Sequence, residues 1–137
     1  MALQPEGGQD DRLRALAGTP EVQAFLFVPR TALYICRRDG HILWASPSME
    51  EVFGYRPQDL VGRNAWEIFP SRDDLEMGAK ASALLNEGDL VVWLPLLDSA
   101  GRKAWYRMDC LNREGGCVLA FRKELDPAEQ RFHHFAR

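Results

Sequence analysis

The chain has 137 residues, of which 46% are hydrophobic and 10% aromatic, and its formal net charge is −3 at pH 7. This length suits one domain with a substantial core, and the composition excludes a disordered chain. The slight negative charge, without a dominant basic stripe, argues against a nucleic-acid-binding surface. The longest apolar run, Leu90–Leu97, is too short for a membrane span, and Met1–Asp10 lacks the apolar centre of a signal peptide.

The N-terminal part predicts a tail and two short helices. Residues 1–9 are polar and glycine-containing, which is typical of a flexible tail. Asp10 or Asp11 can cap a first helix, and Thr19-Pro20 starts a second one, Glu21–Val28. Because both helices carry apolar residues, this lead-in must be buried against something.

A tight hairpin follows the lead-in. Two runs rich in β-forming residues, Thr31–Arg37 and His41–Ala45, flank Asp39-Gly40, a dipeptide typical of a tight turn because Gly accepts positive φ. Ser46-Pro47 then predicts a helix start, with Ser46 as the cap and Pro47 at the first helical position. We expect three short helices after Ser46-Pro47, and they end at Gly54, Gly62 and Pro70.

The second half of the chain predicts one longer helix and three strands. The helix is expected from Arg72 to Asn86, with Ser71 as its cap. Leu90–Leu97 is nearly all apolar, so we expect a strand that is buried on both faces or covered on its outer one. Pro95 cannot donate to a ladder, which indicates a bulge or a sheet edge.

The last two strands differ in how clearly they show an inward face. Lys103–Leu111 alternates, and the period of two turns Ala104, Tyr106, Met108 and Cys110 towards the core. In Cys117–Lys123 the pattern leaves two choices open. The inward pair is either Leu119 with Phe121 or Val118 with Ala120.

This order of elements predicts an α+β fold. The strands connect as hairpins, and the central helices fall in one block between the second and third strands. Such an order is typical of an antiparallel sheet with helices packed on one face.

The stretch from Asp39 to Pro70 resembles the PAS domain family. The family's usual run is a strand, a D-G turn, a strand, N/S-P, a short helix and then G-Y-x-P-x-E-L-x-G. Here the run is Asp39-Gly40, Ser46-Pro47 and Gly54-Tyr55-Arg56-Pro57-Gln58-Asp59-Leu60-Val61-Gly62, followed by Pro70 and Asp73-Asp74. The resemblance implies a five-stranded antiparallel sheet in the order 2-1-5-4-3. It divides the chain into a tail with leading helices (1–30), the PAS domain (31–123) and the start of a connector helix (124–137).

The family's usual role implies a sensory or regulatory module of a larger signal-transduction protein. Asp126-Pro127 opens a last helix, and Phe132 and Phe135 share its apolar stripe with no stop signal before Arg137. Residues 131–137 resemble the linker that leads into diguanylate cyclase domains, and a histidine kinase output fits as well. The other interpretation is a terminal helix that docks on its own sheet.

The resemblance disfavours two cofactors. Haem-binding PAS domains usually place the axial histidine on the long helix, and Arg72–Asn86 contains none. In the light-oxygen-voltage branch, a reactive cysteine stands at the position that Ala65 occupies here, which disfavours a covalent flavin adduct. The histidines, His41 and His133-His134, lack metal-ligand spacing, and no catalytic motif is present, so we predict no enzyme activity and no bound metal.

A fold of this class encloses a concavity between its helices and its sheet. The expected lining is mostly apolar, with two phenols that could orient a ligand. The candidates are Tyr34, Cys36, Phe53, Trp66, Leu84, Val92, Leu94, Leu96, Tyr106, Met108 and Cys110. Either a small apolar ligand occupies this space, or large side chains fill it.

The three cysteines lack C-x-x-C spacing, which favours a reduced, cytoplasmic protein. Cys36 and Cys110 fall on the inward parity of their strands, and Cys117 begins the fifth. Buried thiols are usually inert. If the first, fifth and fourth strands are neighbours, the three thiols lie close together, and a redox or thiol-reactive site is the alternative.

The second functional hypothesis is a ligand-free module for homodimerisation or protein interaction. Apolar helices at both ends and an outward-facing Trp105 beside charged residues suit an interface. The candidates are Phe25, Phe27, Trp105, Phe132 and Phe135. The two hypotheses are compatible, because many PAS modules both sense and dimerise.

Overall fold

The computed structural model describes residues 5–68 and 88–124. Within them lie the helices α1 (Pro5–Ala15), α2 (Pro20–Leu26), α3 (Met49–Phe53), α4 (Pro57–Leu60) and α5 (Ala65–Ile68), and the strands β1 (Thr31–Arg37), β2 (Ile42–Ala45), β3 (Leu90–Leu97), β4 (Lys103–Arg113) and β5 (Gly116–Lys123). A 3-10 turn, Leu16–Gly18, joins α1 to α2. The helix predicted for Arg72–Asn86 and the connector helix predicted beyond Glu124 lie outside the described residues.

The strands form one five-stranded sheet in the order β2-β1-β5-β4-β3. Every neighbouring pair is antiparallel. The α+β class, the antiparallel sheet and the strand order are therefore confirmed. Pro95 lies on β3, an edge strand, where a missing N–H is tolerated.

Each face of the sheet carries its own apolar cluster. On the inner face, defined here as the face covered by α3, α4 and α5, Met49, Phe53, Leu60 and Ala65 from these helices pack against the sheet. On the outer face, the leader (α1 and α2) covers β2, β1 and β5. The fold is thus a sheet between two helical layers.

Strand β5 resolves the choice that its sequence left open. Leu119 and Phe121 belong to the inner cluster, whereas Val118 and Ala120 belong to the outer one. Both sets are buried because β5 lies in the centre of the sheet. A strand that is buried on both faces shows no alternation of apolar and polar residues.

The leader packs within its own domain. Leu13 and Val22 are fully or almost fully buried in the outer cluster. A Cβ on Gly116 would lie 2.6 Å from Leu13 Cδ2 and 2.6 Å from the carbonyl oxygen of Cys36, so the absence of a side chain lets α1 approach the sheet closely.

The flexible tail predicted for residues 1–9 is wrong where the structure describes it, because α1 already begins at Pro5. Tertiary contacts explain the earlier start. Arg37 donates from Nε and Nη2 to the Asp10 carboxylate, at 3.0 and 2.8 Å. Gln9 Nε2 donates to the carbonyl oxygen of Glu114 at 3.3 Å. Asp10 therefore anchors the helix to β1 and does not cap it.

Ser46 does not cap a helix as predicted. Helix α3 begins at Met49, and its N-cap residue, Ser48, makes no side-chain capping bond. The buried Ser46 hydroxyl instead accepts a hydrogen bond from the Leu33 backbone N–H at 3.0 Å. A buried backbone donor needs an acceptor, and Ser46 provides one for β1.

The prediction that β3 is covered on its outer face is also wrong. Val91 and Trp93, on that face, are 41% and 46% exposed. The residues of the outer cluster come from the leader and from strands β1, β2, β4 and β5, and none of them lies on β3. The Arg107 guanidinium lies 5.9 Å from the Trp93 ring, a cation–π contact that shields one side of the indole.

Candidate functional site

The candidate pocket residues that the structure describes come together on the inner face. Nine of the predicted residues belong to the inner cluster or pack against it: Tyr34, Cys36, Phe53, Val92, Leu94, Leu96, Tyr106, Met108 and Cys110. Inward parity on β1, β3 and β4 brings eight of them there, and α3 adds Phe53. The Trp66 side chain and Leu84 lie outside the described part of the chain.

The end of α3 fixes the position of Phe53. Gly54 has φ +82°, which is the left-handed conformation that ends many helices. The backbone N–H of Ser99, in the β3–β4 turn, donates to the Phe53 carbonyl oxygen at 2.8 Å. A Cβ on Gly54 would collide with the Ser99 hydroxyl, so any other residue here would force that hydroxyl to move.

Stacked aromatic rings fill one end of the inner face. The Phe53 and Tyr106 ring centroids lie 4.6 Å apart at an interplanar angle of 23°. Phe121 meets Phe53 edge-on at 5.5 Å and stacks on Tyr34 at 5.4 Å. All four rings are buried. At this end, large side chains therefore occupy the inner face.

The two phenols are neutral in this environment. Burial raises the pKa of Tyr34 well above its usual value. Burial also raises the pKa of Tyr106, and the nearby Asp98 carboxylate acts in the same direction. Both hydroxyls therefore stay protonated at neutral pH and keep a hydrogen to donate.

The β3 end of the inner face is less closed. Leu94 and Leu96 are buried, whereas Leu90 and Val92 are only half-buried. These four residues face inward from one strand, opposite the inward residues of β4, among them Met108 and Cys110. Within residues 5–68 and 88–124, the inner face thus runs from a filled aromatic end to an apolar, half-open end.

Phe121 is the main residue of this site that sequence reasoning did not assign. It contacts two of the other aromatic rings, and on the sheet it lies opposite Met108. The parity of β4 supplies the signal that could have found it. With the β4–β5 register known, the inward Met108 places its partner Phe121 on the same face.

The three cysteines form a second group on the inner face. All are fully buried, and none is in a disulfide. Cys36 on β1 lies directly opposite Cys117 on β5, while Cys110 on β4 lies opposite Leu119. The Cys117 Sγ donates to Asn112 Oδ1 at 3.5 Å. The expected adjacency of the three thiols is therefore present.

The thiols influence one another's acidity. Hydrogen bonds from the Cys110 and Cys36 thiols lower the pKa of Cys117. The hydrogen bond to Cys117, and then burial, raise the pKa values of Cys36 and Cys110.

The interface candidates that the structure describes, Phe25, Phe27 and Trp105, lie on the outer side of the domain. Phe27 is 83% exposed, whereas Phe25 is half-buried against the outer cluster. Trp105 is half-buried on β4. A groove of about 140 Å³, lined by Phe25, Val28, Thr31, Arg107, Asp109, Ala120, Phe121 and Arg122, lies between the leader and the sheet. Phe132 and Phe135 lie outside the described residues.

Two further classes of site are absent from residues 5–68 and 88–124. No group of three or more His, Cys, Asp or Glu side chains there is arranged to hold a metal ion. Likewise, none of the helices in these ranges has the length and apolar character needed to cross a bilayer.

Residues 30–122 match the family model described as PAS fold, and the chain therefore belongs to the PAS family. It is a PAS sensory domain, and PAS domains are generally sensory, non-catalytic modules that sit in larger signalling proteins. No protein in the curated set matches the chain.

Solved PAS structures share the fold at low sequence identity. The PAS domain of a LuxR-family transcriptional regulator from Burkholderia thailandensis, in complex with ethanol, is 21% identical, with a TM-score of 0.58 over 74% of this chain and 94% of that one. The RpfR quorum-sensing receptor PAS domain from Cronobacter turicensis, in complex with BDSF, is 16% identical, with a TM-score of 0.59 over 70% and 95%. A domain of a sensory box histidine kinase/response regulator from Geobacter sulfurreducens is 15% identical, with a TM-score of 0.59 over 77% and 98%.

Proposed function

We propose that this PAS domain is the input module of a larger signalling protein, with a diguanylate cyclase or a histidine kinase as its output. A small apolar molecule binds on the inner face and shifts the sheet, and the C-terminal connector carries the change onward. Residues 1–30 comprise the N-terminal tail and the leader, residues 31–123 form the sensory domain, and residues 124–137 begin the connector. Three cysteines without a disulfide suit a cytoplasmic location.

The observation that carries this proposal is the half-open apolar end of the inner face. Leu90 and Val92 are half-buried apolar residues at the β3 end of a face whose other end is filled by stacked aromatic rings. A ligand there would exchange water for apolar contact, which is the dominant favourable term for small apolar ligands. The complexes of related PAS domains with ethanol and BDSF are consistent with a small ligand in this fold.

A route from this site to the connector runs across the centre of the sheet. Met108 on the inner face pairs with Phe121 on β5, the strand that leads to the connector. Beyond β5, the Glu124 backbone N–H still donates to the carbonyl oxygen of Trp105 at 2.9 Å. A ligand that displaces Met108 therefore acts on the last strand through direct contact. In PAS domains the fifth strand usually ends in a D-I-T-type motif that couples to the connector, and this chain has Arg122-Lys123-Glu124-Leu125-Asp126-Pro127 in its place.

A matched pair of variants tests the ligand site. Val92→Trp fills the half-open inner end, whereas Val91→Trp adds the same indole to the exposed outer side of the same strand. We expect dodecanoic acid or indole to raise the thermal midpoint of the natural chain and of Val91→Trp, and not that of Val92→Trp. Native mass spectrometry of freshly purified protein shows whether a ligand is already bound. Equal responses in both variants would contradict the proposed position.

A ligand-free dimerisation module is the second candidate, and the exposure of Phe27 favours it. A phenylalanine that is 83% exposed at the end of α2, next to the groove on the outer side, is typical of an interface anchor. Sedimentation over a concentration series tests this role. We expect a dimer that Phe27→Glu dissociates and that Val61→Glu, an equally polar change at another exposed apolar residue, leaves intact. A monomer at all concentrations would exclude it.

A further inference from the structure

The proposed ligand site uses Cys36 and Cys110 only as part of its lining, and it does not use Cys117. Cys36, Cys110 and Cys117 lie at the end of the inner face next to the β4–β5 turn, on three adjacent strands. Each is fully buried, and none is in a disulfide. Reactive groups that are brought together from three strands form a candidate site of chemical modification.

We propose that Cys36 and Cys117 form a reversible disulfide when the domain is exposed to a hydroperoxide. The bond would covalently join β1 and β5, which are neighbours in the sheet. This site does not depend on the proposed ligand binding, because the bond can form whether or not the inner face holds a molecule.

The register selects this pair of thiols. Cys36 and Cys117 are direct partners across the antiparallel β1–β5 ladder. Direct partners have Cα atoms about 4.5–5.5 Å apart, within the range of about 4.4–6.8 Å that a disulfide spans. Both side chains also belong to the inner cluster, so their sulfur atoms lie on the same side of the sheet.

Cys110 is less suited to the bond. Its direct partner on β5 is Leu119, so Cys117 is its diagonal neighbour. Diagonal neighbours lie about 7–8 Å apart, and a disulfide over more than about 7 Å needs backbone movement. Cys110 instead donates a hydrogen bond to the Cys117 sulfur, which stabilises the thiolate there. We therefore assign Cys110 a positioning role.

The chemistry balances with a hydroperoxide as the two-electron oxidant. The Cys117 thiolate attacks one peroxide oxygen, the O–O bond breaks, and the leaving oxygen takes up a proton, which gives water from hydrogen peroxide and a sulfenic acid on Cys117. The Cys36 thiol then attacks the sulfenic sulfur as its proton is lost. The S–S bond forms, the S–O bond breaks, and a second water leaves. Two thiols have lost two electrons and two protons.

The neighbourhood offers a route for a small uncharged oxidant. Asn112, the hydrogen-bond partner of Cys117, is half-buried, and the turn residues Glu114 and Gly115 are exposed. Local opening of a turn costs far less free energy than global unfolding. On this side the thiols are separated from solvent by the short β4–β5 turn and by Gln9 of α1, which is bonded to the turn.

Peptide mapping of the natural chain tests this proposal directly. After pretreatment with a chelator and a reductant, the protein is exposed to hydrogen peroxide and then alkylated under denaturing conditions. Trypsin places the three cysteines on separate peptides, namely 31–37, 108–113 and 114–122. We expect a disulfide-linked product of peptides 31–37 and 114–122 that dithiothreitol cleaves. Peptide 108–113 should carry an alkylated Cys110.

Variants separate the roles of the thiols. Cys36→Ala and Cys117→Ala should abolish the cross-link, whereas Cys110→Ala should retain it but slow its formation, with a pH profile shifted to higher pH. Circular dichroism checks that each variant folds. Three alkylated cysteines at a peroxide concentration that oxidises the methionines would overturn the proposal. A cross-link through Cys110, or one between two chains on a non-reducing gel, would also overturn it.

Discussion

The two faces of the sheet are covered in different ways. On the inner face, Phe53 and its ring partners are held by close contacts between apolar side chains from α3, β1, β4 and β5. On the outer face, the leader covers three strands with a few apolar side chains and is also fastened by ion pairs. Asp10 pairs with Arg37, and Glu21 pairs with Arg113, each at 2.8 Å.

This difference indicates that the two layers respond to different perturbations. Apolar packing of the inner face depends on shape and volume and is almost independent of pH and salt. The ion pairs of the outer face weaken when their carboxylates are protonated or screened. We therefore expect the leader to be the layer that separates from the sheet while the rest of the domain remains folded.

The largest expected effect comes from the inner face. Phe53→Ala removes a ring that contacts both Tyr106 and Phe121 and leaves a cavity. We expect the free energy of unfolding to fall by about 3–5 kcal/mol. Chemical denaturation measures this change, and Phe27→Ala, at a highly exposed phenylalanine, serves as the control. Equal losses at the two positions would contradict the central place of the aromatic cluster.

Leu13→Ala tests whether the leader separates on its own. Leu13 is fully buried between α1 and the sheet at Gly116. The truncation should cost about 2–4 kcal/mol of local stability. Hydrogen exchange should accelerate in α1 and α2 while the amides of β4 keep their protection. Uniform acceleration through the whole domain would show that the two layers unfold together.

Asp10→Asn should reduce the stability at neutral pH by about 1–2 kcal/mol, because the carboxylate loses its charge-assisted bonds to Arg37. The hydrogen bond from Arg37 lowers the pKa of Asp10 below its usual 3.8. The natural chain therefore has this stabilisation fully above the unfolded-state pKa and loses it as the pH falls through the folded-state pKa. Thermal melts from pH 7 to pH 3 should show the two proteins converging below about pH 4. A constant difference across this range would contradict the ion pair.

The smallest change in stability is expected on the exposed outer side of β3. Trp93 is 46% exposed and contacts the Arg107 guanidinium. Trp93→Gln should change the free energy of unfolding by no more than about 1 kcal/mol, since an exposed cation–π contact contributes about 0.5–1 kcal/mol. A larger loss in the purified domain would show that a further layer covers this strand.

Local signals in the sequence were sufficient for much of the fold. Strong turn residues mark the ends of Thr31–Arg37 and Leu90–Leu97, and the structure has both strands with these bounds. Alternation along β4 placed Tyr106 and Met108 on the inner face correctly. Strand order came from the family resemblance, because hairpin connections alone do not determine which distant strands pair.

The remaining features depend on tertiary contacts that a local pattern does not contain. Helix α1 extends through Gly7 and Gly8, which have poor helix propensity, and is held by contacts of Gln9 and Asp10 with distant residues. Ser46 suits a helix cap, but a backbone N–H on β1 uses its hydroxyl. The position of Phe121 remained open because both faces of its strand are apolar and buried.

Thr31 and Arg122 face each other across β1 and β5, so the chain comes into the sheet and departs from it at neighbouring points. Adjacent strands are only about 5 Å apart. A module with its two junctions this close can be spliced into a surface loop of a host protein without forcing the loop's ends apart. The same geometry makes the domain suited to circular permutation, in which a short glycine-rich peptide would bridge the two junctions and new termini would open at an exposed turn.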